Sequence, residues 1–206
     1  MTRAAASLAL MTAAFVVAGC GSILSPRPDL SKFFVLTPAT DATSAMPRTG
    51  NGPTIGLGPV RLPAYLDREE IATRIDLNQM QYSETDRWAE PLDTDFRRTL
   101  EKDLAAALGT AQIVPFPWFA PARPDYKIEV DVDRFERNEK GDSQLTSHWT
   151  IKDGKSGKLL FAKASDINHP AQSGGTEASV AALSTNVGEL SDQIATAVRE
   201  LEEKRR

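Results

Sequence analysis

Between positions 126 and 133 the chain alternates strictly, with Tyr126, Ile128, Val130 and Val132 set against Lys127, Glu129, Asp131 and Asp133. A period of two sends successive side chains to opposite faces, so this stretch predicts a half-buried strand. Leu145, Ser147, Trp149 and Ile151 continue the alternation, and Asp153-Gly154-Lys155-Ser156-Gly157 reads as a turn into residues 158–164. The segments on either side of that turn are expected to form an antiparallel hairpin. Elsewhere the period lengthens. Leu92, Phe96, Leu100, Leu104 and Leu108 recur every four residues and predict a helix over 91–108 with one buried face. Pro91 is expected at its first position, Asp93 and Asp95 at its positive dipole end, and Gly109 at a left-handed C-cap. Val180, Leu183, Val187, Leu190, Ile194, Ala197 and Leu201 step by three and four along a final helix. Such a stripe can seam two helices together, but with fewer than four heptads it is read here as the cover of a sheet.

Shorter apolar runs supply further strands at 33–36, 55–60, 71–75, 80–82 and 112–114, with Asn78 and Gln79 turning between the third and fourth of them. The glycines at 56 and 58 allow close backbone approach. Residues 38–53, rich in Ala, Thr, Gly and Pro, show no period and read as a mobile surface loop. Residues 115–121 combine three aromatics with three prolines and so cannot form a central strand. Seven or eight strands and two main helices define a single α+β domain, its sheet mixed or antiparallel.

The N-terminus changes this picture. Arg3, an apolar stretch over 4–17 and the small residues Ala18 and Gly19 have the order of an export signal, and the run is too short to span about 30 Å of hydrocarbon comfortably. Val17-Ala18-Gly19-Cys20 resembles the bacterial lipobox, which implies that Cys20 is acylated and becomes the mature N-terminus after residues 1–19 are removed. Diacylglycerol plus an amide-linked chain, at about 0.8 kcal/mol per buried methylene, anchors effectively permanently. Gly21 stands where Asp would signal inner-membrane retention, so the expected location is the periplasmic face of an outer membrane. Residues 20–32, with Pro26 and Pro28, read as a tether. From Cys20 to Phe33 it reaches at most about 43 Å at ~3.3 Å per residue, which keeps the domain over 33–206 close to its membrane.

Removing the signal leaves 206 − 19 = 187 residues, enough for one domain with a sizeable core. With the sole cysteine acylated, no intramolecular disulfide is possible. The formal net charge of −4 and the interspersed acids and bases give no basic face for nucleic acid. Catalytic chemistry is equally sparse. A Cys–His nucleophile is excluded by acylation, and His148 and His169 are too few and too far apart to specify a metal site. His148 reads as a solvated strand residue, His169 as a loop residue, and Glu129, Asp131 and Asp133 as solvated charge on one strand face. The sequence contains no phosphate loop, no GxSxG elbow and no EF-hand loop. No enzyme activity and no cofactor are expected beyond the covalent lipid.

Two segments are too particular for generic loop: IGLGPVRLPAYLDREEIATR over 55–74 and RWAEPL over 87–92. Together with the aromatic strand at 33–36 and Leu190-Ser191-Asp192-Gln193-Ile194-Ala195, they resemble the ABC-type transport auxiliary lipoprotein family, also called the PqiC or YmbA family. Glu69-Glu70 departs from its common Pro and Gln. The resemblance implies a non-enzymatic outer-membrane subunit of an intermembrane lipid transport system, partnered by an MCE-domain protein and an inner-membrane component. A homo-oligomer is also compatible with it. Arg61, Leu62, Pro63, Tyr65 and Leu66 form the expected docking loop, stiffened by Pro59 and Pro63; alternatively Leu62, Tyr65 and Leu66 pack over the core beside Trp88. Trp88 and Glu90 are candidate partner contacts, although helix entry and packing is the favoured reading for them. Competing functions are a periplasmic lipid- or solute-binding lipoprotein and an envelope-assembly scaffold.

Overall fold

A computed structural model describes residues 28–39, 52–109, 112–119, 123–172 and 174–206. Cys20, the export signal, most of the tether and most of the predicted loop over 38–53 lie outside these residues. In chain order the elements are β1 (Lys32–Phe34), β2 (Ile55–Arg61), a 3₁₀ turn (Ala64–Leu66), β3 (Glu70–Asp76), β4 (Gln79–Trp88), α1 (Leu92–Leu108), β5 (Ile113–Pro115), β6 (Tyr126–Asn138), β7 (Ser143–Asp153), β8 (Leu159–His169) and α2 (Thr176–Arg205). This is an α+β fold with one mixed eight-stranded sheet.

The alternating stretch is β6, and it organises everything else. Along one edge it pairs antiparallel with β7 from Tyr126↔Asp153 to Arg137↔Ser143. A strand has only two edges, so the other must serve both remaining neighbours. There β2 lies parallel against Tyr126 to Asp131, while β3 lies parallel against Arg137 and Asn138. The sheet therefore branches at β6 into one arm of β2 and β5 and another of β3, β4 and β1. A register shift between Val132 and Arg134 falls at the branch. The bulge brings Phe135 rather than Arg134 into line with the apolar face, opposite Leu145, and leaves the adjacent Glu136 buried on the other face.

Both helices cover the apolar face. Phe96, Leu100 and Leu104 of α1 are fully buried, and Phe96 meets Phe135 edge-on at 5.0 Å between ring centroids. The stripe on α2 buries Val180, Leu183, Val187, Leu190, Ile194 and Ala197, and it packs against α1 as well as β6, β7 and β8. The helix therefore does both jobs that its spacing allowed. Trp149 donates its indole N–H to Ser165 Oγ at 2.9 Å, and Ser165 donates in turn to Gln193 Oε1 at 2.8 Å, tying β7, β8 and α2 together.

Several local details differ from the sequence reading. Pro91 caps α1 from outside with ψ 127°, because its missing N–H suits the cap as well as the first turn. Asp95 does more than meet the helix dipole: it is buried and accepts a 2.7 Å bond from the Leu36 N–H, stitching the end of β1 to α1. The turn after β3 is Leu77-Asn78, since Gln79 already pairs with Asp76. The 33–36 strand begins at Lys32 and ends at Phe34, and the strand expected over 112–114 is shifted to Ile113–Pro115, at a sheet edge where proline costs no ladder bond. Gly109 does take the left-handed C-cap, at φ 62°.

The aromatic segment after β5 folds over the helix-free face of β2. Phe116 and Trp118 meet edge-on at 5.3 Å, and the Lys127 ammonium stands 5.5 Å over the Trp118 ring. A Cβ on Gly58 would lie 2.7 Å from that of Phe116, and Gly58 holds φ +116°. Gly58→Ala should therefore cost about 1–3 kcal/mol from strain alone, with the steric contact added. Chemical denaturation reads this directly, and an unchanged midpoint would mean that residue 58 does not hold its positive φ.

Candidate functional site

The two motif segments of the sequence converge at the branch of the sheet. β2 ends at Arg61, the chain crosses through residues 62–69 to begin β3 in the other arm, and β4 brings Trp88 to the same place just before α1 starts. Between them lies a groove of about 750 Å³, lined by Val60, Leu62, Pro63, Ala64, Trp88 and Pro91, with Phe33 at its rim. It lies between the end of β2, the crossing segment that follows it and the end of β4.

Within this groove the sequence candidates divide by burial. Leu66 and Trp88 are core residues, exposed by 4% and 5%. Leu62 and Tyr65 are half-buried against the core, and Ala64 is exposed. Tyr65 turns its phenol to the helix-free face, where it donates to Glu136 Oε2 at 2.5 Å, while its carbonyl accepts from the Tyr82 hydroxyl at 3.3 Å. Burial first, and then the adjoining Glu136 carboxylate, push the Tyr65 hydroxyl well above its ordinary pKa. Of the five docking-loop residues, Arg61, Leu62 and Pro63 thus line the groove with surface to offer, while Tyr65 and Leu66 hold the loop down.

Several of the charges around the groove are matched. Arg61 pairs with Asp131 in bidentate fashion, and that hydrogen bond holds the Asp131 carboxyl below its usual pKa. Arg87 reaches Glu69 at 3.2 Å, and Arg68 lies 4.0 Å over the Tyr82 ring. Glu90 is clamped by Arg98, whose Nη1 donates at 2.8 Å and whose Nη2 also reaches Asp95 at 2.7 Å. The cleft therefore has an apolar floor and a charged rim in which these ion pairs stand beside the acidic side chains of Asp67 and Asp93, an arrangement suited to an apolar surface with a polar edge.

Behind Tyr65 lies a cluster that the sequence reading did not single out. Glu136, 2% exposed, accepts from Tyr65, from Arg74 at 2.6 Å, from Arg134 at 3.0 Å and from the Phe135 N–H at 3.1 Å. Burial alone would raise its pKa, but these donors outweigh burial and hold it below the ordinary carboxylate range. An isolated sequence shows Glu136 only as the next residue after Phe135, and the bulge that buries both is invisible there.

The histidines lie apart from the groove. His148 is exposed on the helix-free face and bonds Asp133 at 2.7 Å, and His169 bonds Glu189 at 2.9 Å. Asp131 and Glu129 on that face are engaged too, with Arg61 and with Lys152 at 2.7 Å. Among the described residues no group of three His, Cys, Asp or Glu side chains is placed to hold a metal ion, and no helix is long and apolar enough to cross a membrane.

The fold and its groove define a two-layer α+β domain with an apolar cleft at the branch of its sheet. The chain belongs to the ABC-type transport auxiliary lipoprotein component family, whose model matches residues 34–195. Both groove segments and the Leu190 to Ala195 motif fall inside that match. Among solved structures, a protein from Xanthomonas campestris is similar with a TM-score of 0.68 at 15% identity, over 85% of this chain and all of that one. A further crystal structure, of an uncharacterised protein, gives 0.66 at 20% identity over 82% of this chain and 98% of the other. At these identities the likeness is one of fold. No curated protein matches the chain in sequence.

Proposed function

We propose that this protein is the auxiliary subunit of an MCE-type intermembrane lipid transport system, anchored through acylated Cys20 at the periplasmic face of the outer membrane, with the groove receiving its MCE-domain partner. The observation that carries this reading is the convergence of two separate sequence motifs, 55–68 and 88–92, on one preformed apolar cleft in a transport-auxiliary lipoprotein. Pro59 and Pro63 restrict the backbone there, Tyr65 and Leu66 pin it to the core, and Arg98 fixes Glu90, so little ordering entropy remains to be lost on binding. A tether of at most about 43 Å would hold this cleft at the membrane end of a conduit.

Co-purification of the MCE-domain protein through a C-terminal tag on the full chain tests the reading. Ala64→Glu combined with Leu62→Ser should abolish co-purification while shifting the thermal midpoint by only a few degrees. Tyr65→Ser, which breaks the Glu136 bond, should instead lower the midpoint. Retention of the partner by the double variant would place docking outside the groove, and Cys20→Ser protein still fractionating with outer membrane would remove the anchor. The groove volume supports a second reading, a lipid-binding lipoprotein, because about 300–1,000 Å³ suits one small ligand; stoichiometric phospholipid in native mass spectra of the partner-free protein would favour it.

A further inference from the structure

On the helix-free face, at the end of the sheet where β6 turns into β7, one row of polar side chains crosses four strands. Arg74 of β3 stands beside Asn138 of β6, and on the other side Glu136 of β6 is paired with Gln144 of β7, which is paired in turn with Asn168 of β8. Side chains paired across neighbouring strands share a face, so these groups converge. They border a pocket of about 180 Å³, joined by Arg134 on β6 and Asp142 in the turn.

Glu136 is 2% exposed, and both of its oxygens are already used. Oε1 accepts from Nε of Arg74 and of Arg134, while Oε2 accepts from the Tyr65 hydroxyl and the Phe135 N–H. A buried carboxylate thus fixes two guanidiniums by their Nε atoms. Arg74 gives one further N–H, to the Leu77 carbonyl at 3.2 Å, but its Nη2 and both Nη atoms of Arg134 have no acceptor among the described residues. Arg137, on the opposite face of β6, adds a third positive charge from behind. Its guanidinium is half-buried and donates to uncharged groups, the hydroxyls of Thr73 and Thr176, each at 2.9 Å. Asp142, the second carboxylate at the pocket, is engaged within the turn, where it accepts from Asn138 Nδ2 at 3.2 Å. We propose that this pocket binds a phosphate-type oxyanion, held by the Nη groups of Arg74 and Arg134 with the Gln144 amide as a further donor. A guanidinium fixed at Nε presents its remaining N–H groups as a rigid fork, the geometry that suits phosphate oxygens. Size limits the ligand. The volume equals about six waters at ~30 Å³ each and falls below the range of about 300–1,000 Å³ for whole organic ligands. It therefore fits a phosphate group with little attached, supplied either by the headgroup of a membrane lipid or as free phosphate.

Calorimetric titration of the full chain in a non-ionic detergent, at fixed ionic strength, tests this with two probes: inorganic phosphate, and glycerophosphoglycerol, a phospholipid headgroup without its chains. One site should be seen. Gln144→Glu brings a carboxylate to the pocket without touching the Glu136 clamp, and it should weaken binding by about tenfold or more with little change in thermal midpoint. Arg134→Gln should weaken it similarly, and Arg134→Lys, which keeps the charge but loses the fork, should restore binding in part. Tighter binding of glycerophosphoglycerol than of inorganic phosphate assigns the pocket to a lipid headgroup, and the reverse order assigns it to free phosphate. The proposal is overturned if neither probe binds, or if Gln144→Glu and Arg134→Gln bind as tightly as the wild type. Gln144 lies outside the groove, so Gln144→Glu should still co-purify the MCE-domain partner, and the two readings fail separately.

Discussion

Leu100→Ala should lower the unfolding free energy by about 2–5 kcal/mol, the range for emptying a fully buried leucine site. Leu100 sits at the middle of the α1 stripe with no exposed surface, between the equally buried Phe96 and Leu104. Its helix is packed from several sides, since α1 meets α2 and β2, and Phe96 one turn earlier reaches β6. Such a site has little freedom to collapse around the space left behind, which argues for the upper part of the range. Urea denaturation of the wild type and variant measures it. A loss under about 0.5 kcal/mol is the size expected of a surface substitution, and would mean that the α1 stripe does not face the core.

Glu136→Gln should cost about 3 kcal/mol near neutral pH. That is the low end for breaking a buried ion pair, because Arg74 and Arg134 keep part of their surface in water. The pH dependence follows from linkage. The donors around Glu136 hold its folded-state pKa below the unfolded value of about 4.3, so its stabilising contribution is complete above that value. It is lost as pH falls through the depressed folded pKa. The difference between wild type and Glu136→Gln should therefore be full at pH 7 and shrink toward pH 3. A difference that stays constant over that span would show that shape, and not charge, holds the cluster. Asp95 acts with the opposite sign. Burial lifts its carboxyl above the ordinary value, only partly offset by the Leu36 N–H and Arg98, and the resulting penalty is relieved as pH falls through that raised pKa.

Much of the candidate site is legible in the amino-acid sequence, though not its division of labour. The segments around Arg61 to Leu66 and Trp88 to Glu90 stood out by their motifs, and the structure brings them to one groove. Which side chains face out was not legible. Leu62, Tyr65 and Leu66 look alike in a loop of two prolines, yet Leu66 is core, Tyr65 is held by Glu136, and only Leu62 of the three lines the cleft with surface to spare. That outcome depends on where β6 bulges, about seventy residues away.

Local repeats were legible along the chain: the period-two faces of β6 and β7, the four-residue stripe of α1, the Asp153 to Gly157 turn and the Gly109 cap, since each follows from side-chain spacing and backbone sterics within a few residues. The chain also carried the family motifs. The arrangement of these elements came from long-range packing. The shared edge of β6 splits the sheet into two arms, β1 adds parallel to β4, α2 serves a helix and a sheet at once, and β8 is left as the long edge. Periodicity says which face of a strand is apolar but not which strand lies beside it; that choice is made by packing between residues distant in the chain, where no local pattern reaches.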